Sequence, residues 1–264
     1  MKEATGKTQK ENVPLWESRS GFSLSSSSLK TIAMALMLLD HSLVVFLPAD
    51  SLLRMVLRIP GRIVAPIFCF LVAEGYHYTS SRKKYMLRLF VFALISHVPF
   101  NITFNYPLSP LSATSVMWSL VLGLAALTAV KSSLHTALKA LILVACCAAA
   151  YTANWNYVAV LWIVVFGIFR GSFKRQMLAF CAVGTAFLLA PAFLRFALSR
   201  SENLYWFHVG IFLAVPVLAM YNGRLGKKSR FMSIAFYIFY PAHLILLHIL
   251  NIFTLLAKVM EALP

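Results

Sequence analysis

Apolar segments close to the length of a membrane-spanning helix recur along the chain, and short polar stretches separate them. A span needs about 20 mostly apolar residues, and fewer where neighbouring helices shield it. The composition agrees, because 60% of the 264 residues are hydrophobic and the mean hydropathy is +0.78. The sequence predicts an all-α, polytopic transmembrane helical bundle of about nine helices, at 31–48, 63–80, 88–105, 114–130, 137–152, 156–169, 177–194, 206–221 and 231–254.

The basic residues indicate the orientation. The chain has 24 Lys and Arg against 8 Asp and Glu, a formal net charge of +16. In a water-soluble protein this excess would suggest nucleic acid, but here the cations cluster between apolar segments, so we expect a lipid bilayer and no nucleic acid. With a cytoplasmic N-terminus, 18 of the 24 lie on the cytoplasmic side. The positive-inside rule therefore predicts a multi-pass protein of the bacterial inner (cytoplasmic) membrane, N-in and C-out, with six basic residues outside: Arg54, Arg58, Arg62, Arg195, Arg200 and Lys258.

Residues 1–28 differ from the rest of the chain. They are polar and basic, and they lack the apolar core of a cleavable signal peptide. We expect a disordered cytoplasmic tail here and a single transmembrane domain at 29–264.

The cysteines all lie inside apolar segments, so we interpret them as reduced structural residues and expect no disulfide and no metal site. They are Cys69, Cys146, Cys147 and Cys181.

Ionisable side chains inside the apolar segments are the strongest functional signal. The first segment, LKTIAMALMLLDHSLVVFL, carries Asp40 and His41 side by side near its middle. A charge at the bilayer centre costs between about 2.5 and 17 kcal/mol, so such groups usually mark a cavity, a substrate path or a pair. At about 1.5 Å per helical residue, Glu74, His97 and His243 fall near the depth of His41. We expect one shared polar cavity, although a single buried His also serves in helix-to-helix hydrogen bonding.

Asp40 and His41 cannot form the usual carboxylate-to-imidazole contact on a regular helix, because adjacent residues point about 100° apart. Either the helix is locally distorted, or Asp40 contacts a neighbouring helix, with Arg62 as the candidate, while His41 faces the cavity. Arg62, or a backbone donor beside Gly61, is also a candidate for stabilising an oxyanion.

Lys30 and His41 lie on one helical face, eleven residues or about 16 Å apart along the axis. That distance suits coenzyme A, whose phosphates would bind Lys30 and nearby loop cations while the thioester reaches His41. Neutral imidazole there would act as a general base for an acceptor amine or hydroxyl. The alternative interpretation is that Lys30 only extends its ammonium to the membrane surface and that the loop cations only set the topology. The loop cations are Arg82, Lys83, Lys84 and Arg88.

Five strings of the sequence resemble the TraX family of multispanning membrane proteins in order and spacing. They cover most of the chain, from Lys30 to about Leu250, and include the specific elements DH, GR-x(3)-P-x-F and YP-x-HL. The strings are LKTIAMALMLLDH at 29–41, GRIVAPIFCFLVAEGYHYT at 61–79, RKKYMLRLFVFALISHVPFN at 82–101, MWSLVLGLAAL at 117–127 and FYIFYPAHLILL at 236–247.

The resemblance implies a membrane acetyltransferase that uses acetyl-CoA as co-substrate, since the family's named activity is acetylation of the N-terminus of conjugative pilin. The chain is also similar to integral-membrane acyltransferases acting on surface glycans, in which a basic residue, ten intervening residues and a His open the first helix. By this resemblance His41 is catalytic, with Asp40 and Glu74 in the catalytic set. Arg62, Tyr240, His243 and His97 are carried over as binding residues.

Two further functions stay open at this level. A proton-coupled transporter would use Asp40, His41, Glu74 and His243 as a relay, although the sequence has no internal repeat. A non-catalytic pilus or envelope assembly factor would bind its partner through apolar faces. For the enzyme, the acceptor (pilin amine, glycan hydroxyl or lipid head group) and the choice between direct transfer and an acyl-His intermediate are also open.

Overall fold

The structure is a computed structural model and describes residues 23–109, 111–199, 206–226 and 230–261. This part of the chain folds into helices without a β-strand, as predicted. Two 3₁₀ segments, Pro60–Ile63 and Trp206–Leu213, and a π-helical segment, Thr185–Leu189, lie between α-helices. The α-helices are α1 Ser26–Phe46, α2 Leu52–Leu57, α3 Val64–Tyr78, α4 Arg82–Thr103, α5 Val116–Val130, α6 Thr136–Ala149, α7 Asn156–Ile168, α8 Phe173–Gly184, α9 Ala190–Ser199, α10 Ala214–Ala219 and α11 Arg230–Glu261.

All nine predicted segments fall on helices. Within the described residues, five helical stretches are long and apolar enough to cross a membrane. Shorter apolar helices cover the remaining four segments, so the helical membrane bundle is confirmed, whereas the count of nine crossings and the orientation stay predictions. The five long stretches are Ser26–Phe46, Leu52–Tyr78, Arg82–Thr103, Phe173–Leu198 and Ile234–Glu261.

The start of the membrane domain lies a few residues before the predicted boundary at residue 29. Helix α1 begins at Ser26, and the Ser25 hydroxyl caps it by accepting from the Ser28 N–H. Leu24 forms a backbone bridge with Tyr221. The predicted tail beyond this point, residues 1–22, lies outside the described residues.

Helix α3 is the centre of the bundle. Every residue from Gly61 to Glu74 is buried, which is the pattern of a helix enclosed by other helices. Helices α1, α5 and α7 pack around α3, and α11 packs against α1 and α4. Small residues bring α5 and α7 close together, because a Cβ at Gly123 or Gly167 would collide with a side chain of the facing helix. The bundle thereby holds α1, α3 and α11 around one buried site.

Candidate active site

A pair of buried histidines joins the first and last helices. His41 Nδ1 on α1 lies 2.8 Å from His243 Nε2 on α11. The two rings are nearly parallel, with an angle of 12° between their planes. Phe104 and Tyr240 contact the His41 ring edge-on. The prediction that His41 and His243 share a site is therefore confirmed by their contact.

The hydrogen bonds assign the tautomers of this pair when both rings are neutral. His243 Nδ1 lies 2.7 Å from the carbonyl oxygen of Phe239, which only accepts, so Nδ1 carries the proton. His243 Nε2 is then the acceptor, and His41 Nδ1 must donate to it. The proton of His41 is thus fixed on Nδ1, and its Nε2 keeps a free lone pair. Such a nitrogen serves as a base or as a nucleophile.

Asp40 turns away from His41 and binds two arginines. Its Oδ2 accepts a short hydrogen bond from Arg62 Nη2, and its Oδ1 accepts one of 3.0 Å from Arg58 Nε. The predicted partner Arg62 is confirmed. The sequence analysis missed Arg58 as a second partner, because Arg58 lies before the turn at Pro60 and Gly61. Gly61 is required here, because a Cβ at this position would lie 2.7 Å from Asp40 Cβ.

A cavity of about 220 Å³ opens beside the histidine pair. His41, Asp40 and three arginines line it, together with aromatic side chains. The guanidinium of Arg62 lies 5.4 Å from the ring centres of Trp155 and Phe207. These stacking contacts and the carboxylate of Asp40 hold the arginines in place. We call this space the inner cavity; its arginines are Arg54, Arg58 and Arg62.

A larger cavity of about 470 Å³ lies next to the inner one, and we call it the tunnel. Lys30 and Arg88 line it, and its remaining lining is mostly apolar. That these two residues bind a phosphate-bearing ligand stays a prediction. The Lys30 ammonium lies 5.1 Å above the Phe236 ring. The two cavities share four lining side chains: Met37, Phe68, Val116 and Tyr240.

The other loop cations lie outside both cavities. Arg82 stacks on Tyr76, with 4.3 Å between the guanidinium and the ring centre. Lys83 and Lys84 are exposed in the first turn of α4. Of the predicted phosphate-binding loop cluster, Arg88 is the member that the structure brings to the tunnel.

Glu74 lines the tunnel and not the inner cavity. Its carboxylate accepts a 2.9 Å hydrogen bond from Arg170 Nε and a longer one of 3.5 Å from the Tyr221 hydroxyl. Arg170 lies in the loop between α7 and α8; burial opposes its charge, but the hydrogen bond and charge of Glu74 prevail and raise the pKa of Arg170.

The prediction of one cavity shared by all four groups is wrong for Glu74, which lines the tunnel, and for His97 and His243, which line neither cavity. His243 belongs to the site through its contact with His41. The second apolar stretch starts at Leu52, so Arg62 already lies at the depth of Asp40. Glu74 follows Arg62 by twelve residues, which places it about 18 Å further along the helix axis. His97 is spaced for a bond within its own helix, and its Nε2 accepts from the Asn101 amide at 3.2 Å. The catalytic role of Glu74 stays a prediction.

The fold and site define a class: a polytopic helical membrane protein with a buried histidine pair beside a carboxylate held by arginines. The model of the TraX protein family matches residues 25–251. The chain therefore belongs to the TraX family, as its motifs indicated.

A curated relative supports this membership. The chain is similar to the probable fimbrial assembly protein FimC, serogroup H1, of Dichelobacter nodosus, with 32% identity over 232 residues. The match covers 84% of this chain and 94% of that protein. No solved structure matches the chain.

Proposed function

We propose that this protein is an inner-membrane acyltransferase that moves an acetyl group from cytoplasmic acetyl-CoA to an amine or hydroxyl at or across the membrane. The observation that carries the proposal is the free Nε2 of His41, which the hydrogen bonds through His243 to the Phe239 carbonyl leave available as a base. This nitrogen belongs to a side chain that lines the inner cavity, next to a tunnel bearing Lys30 and Arg88.

The donor would occupy the tunnel. Phosphates of coenzyme A would bind Lys30 and Arg88, and the pantetheine arm would lie along the apolar lining. The thioester would then arrive at the four side chains shared with the inner cavity. Tyr240 is one of these, and its buried hydroxyl lies beside Ser115 and Val116 without a hydrogen bond of ordinary geometry to the described residues. It is therefore available to donate to the thioester oxygen as negative charge develops there.

Transfer would proceed by attack of the acceptor nitrogen or oxygen on the thioester carbonyl. The acceptor proton goes to His41 Nε2, a C–N or C–O bond forms, and the C–S bond breaks. The coenzyme A thiolate then takes the proton from His41, so that free thiol and acetylated acceptor leave. The same lone pair also suits an acyl-His intermediate, in which the acetyl group bonds first to Nε2.

For the acceptor we propose the N-terminal amine of a pilus subunit, because the relative in Dichelobacter nodosus is named for fimbrial assembly. Glycan or lipid hydroxyls would use the same donor chemistry. That name also favours a second function, a non-catalytic assembly factor. Such a protein would bind a pilus subunit without consuming acetyl-CoA.

The test uses the full-length protein in lipid nanodiscs with acetyl-CoA labelled in the acetyl group. We expect coenzyme A binding and thiol release, with a loss of about 10²- to 10⁴-fold in rate for His41→Ala. The control is His248→Ala, which changes a histidine on α11, the helix of His243, outside both cavities. Equal rates for wild type and His41→Ala, with no coenzyme A binding, would refute the enzyme and leave the assembly factor.

Two further measurements separate the remaining alternatives. The first is a reaction with labelled acetyl-CoA that is quenched in the absence of an acceptor. Label bound to the protein at His41 would indicate an acyl-His intermediate, and its absence would indicate direct attack. Reconstitution in liposomes with a pH-sensitive dye tests the transporter, which would show proton flux that depends on His41 and is independent of coenzyme A.

A further inference from the structure

The inner cavity carries more positive charge than its own carboxylate balances. Three arginines line it with one acid, Asp40, which leaves two positive charges uncompensated among its lining residues. Both carboxylate oxygens of Asp40 are engaged, one by Arg58 and one by Arg62. Permanent charges confined in a partly buried site within a membrane protein favour a counter-charge.

Among the three arginines of the inner cavity, Arg54 is the one without a carboxylate partner in the part of the chain that the structure describes. Its Nη1 donates a 2.9 Å hydrogen bond to the Leu47 carbonyl at the end of α1, which holds the side chain over the cavity. Arg58 reaches Asp40 through Nε, so its terminal amino groups remain available for another acceptor. Two guanidinium groups with free donors therefore face the same small space as His41.

The oxyanion that forms during acyl transfer would balance one of the two excess positive charges, but only while the reaction proceeds. The second excess charge is present throughout, so it favours an anion that the cavity binds in the ground state. The donor's phosphates do not meet this need, because Lys30 and Arg88 line the tunnel and neither lines the inner cavity. The remaining source is the acceptor.

We propose that the acceptor carries an oxyanion, a carboxylate or a phosphate, a few bonds from its attacking amine or hydroxyl, and that Arg54 and Arg58 bind this group. The inference rests on the proposed acyl transfer. The small volume of the cavity, about 220 Å³, admits only the reacting end of the acceptor, so the anion must be close to the nucleophile. The planar fork of a guanidinium group can bind two oxygen atoms of either oxyanion through parallel hydrogen bonds.

The experiment compares matched acceptors in nanodiscs of neutral lipid. One pair is an apolar peptide with a free N-terminus and either Glu or Gln at its third position; the other is glucosamine 6-phosphate and glucosamine. We expect the anionic member of one pair to be acetylated with a kcat/KM about tenfold or more above its neutral partner. Whichever pair shows the preference identifies the source of the oxyanion.

The preference should disappear in Arg54→Gln and persist in Arg54→Lys, which keeps the charge. Lys258→Gln, an exposed cation outside both cavities, should behave as wild type. Coenzyme A binding by each variant reports whether the site is folded. Equal rates for both members of both pairs, or a preference that survives in Arg54→Gln, would overturn the inference and leave acyl transfer intact.

A protein that binds no coenzyme A would instead refute the proposed function. The anion site is then tested separately, by equilibrium dialysis of the Glu peptide and of glucosamine 6-phosphate against wild type and Arg54→Gln. Binding that depends on Arg54 supports an oxyanion site, and binding that does not depend on Arg54 overturns it.

Discussion

The Nδ1 atom of His41 lies 2.8 Å from Nε2 of His243, although 202 positions separate the two residues. The contact ties the first helix of the described chain to the last. It also fixes which ring nitrogen carries the proton. The Phe239 carbonyl holds the proton of His243 on Nδ1, and His243 Nε2 in turn holds the proton of His41 on Nδ1. A backbone carbonyl and a second histidine thus do what a carboxylate does in many base-assisted sites.

Changing His243 tests this orientation. In His243→Gln the side-chain oxygen still accepts from His41 Nδ1, so we expect most of the activity to remain. In His243→Leu the buried N–H of His41 has no acceptor, which costs about 1–3 kcal/mol. The expected result is a fall in kcat of roughly tenfold to a hundredfold, with the KM for acetyl-CoA unchanged. A fall of equal size in both variants would show that the hydrogen bond is not the reason.

Removing the Asp40 carboxylate should destabilise the protein. Asp40→Asn leaves two largely buried arginines without their counter-charge, and breaking a buried ion pair in this way costs about 3–5 kcal/mol. Thermal unfolding in detergent measures the effect. Asp50→Asn, an exposed acid in the following loop, is the matched control and should stay within about 0.5 kcal/mol. Equal unfolding temperatures for the two variants would contradict the structural role of the cluster.

Cations in and outside the tunnel should differ in their effect on donor binding. Lys30→Gln and Arg88→Gln each remove a proposed phosphate contact, so we expect the KM for acetyl-CoA to rise about tenfold. Lys83→Gln and Lys84→Gln should change it less than twofold, because these exposed side chains line neither cavity. Steady-state kinetics at two salt concentrations provides the measurement. Similar effects at all four positions would indicate a general surface attraction.

Tyr240→Phe removes one oxygen atom from the boundary of the two cavities. The hydroxyl is buried beside Ser115 and Val116 and makes no hydrogen bond of ordinary geometry in the described part of the chain, so its loss breaks no regular hydrogen bond. We therefore expect a lower kcat, by about tenfold or more, with unchanged thermal stability and unchanged coenzyme A affinity. If stability fell and kcat held, the hydroxyl would have a packing role.

Much of this architecture could be predicted from the apolar segments, because a chain in a membrane must satisfy its backbone polar groups internally, which a helix does. Depth counting along α1 and α11 also brought His41 and His243 together correctly. The π-helical segment Thr185–Leu189 and the 3₁₀ segment Trp206–Leu213 were not predicted. Both depend on how neighbouring helices pack, which hydropathy does not report.

Glu74 shows where the same counting fails. Its predicted depth assumed that the second span began at residue 63, whereas the apolar stretch starts eleven residues earlier at Leu52 and is interrupted by the turn at Pro60 and Gly61. Arg58 was missed for a related reason: it precedes that turn, so its approach to Asp40 depends on how the chain folds back. Positions beyond a helix break cannot be extrapolated from helical geometry.

The four side chains shared by the tunnel and the inner cavity lie where a continuous passage for water and ions would otherwise join the two cavities. Met37, Phe68, Val116 and Tyr240 line both spaces. A continuous water-filled passage here would dissipate the ion gradients that the membrane maintains. In the proposed reaction these side chains would form a partition, so that an uncharged two-carbon group would pass from one side to the other while protons and small ions are held back.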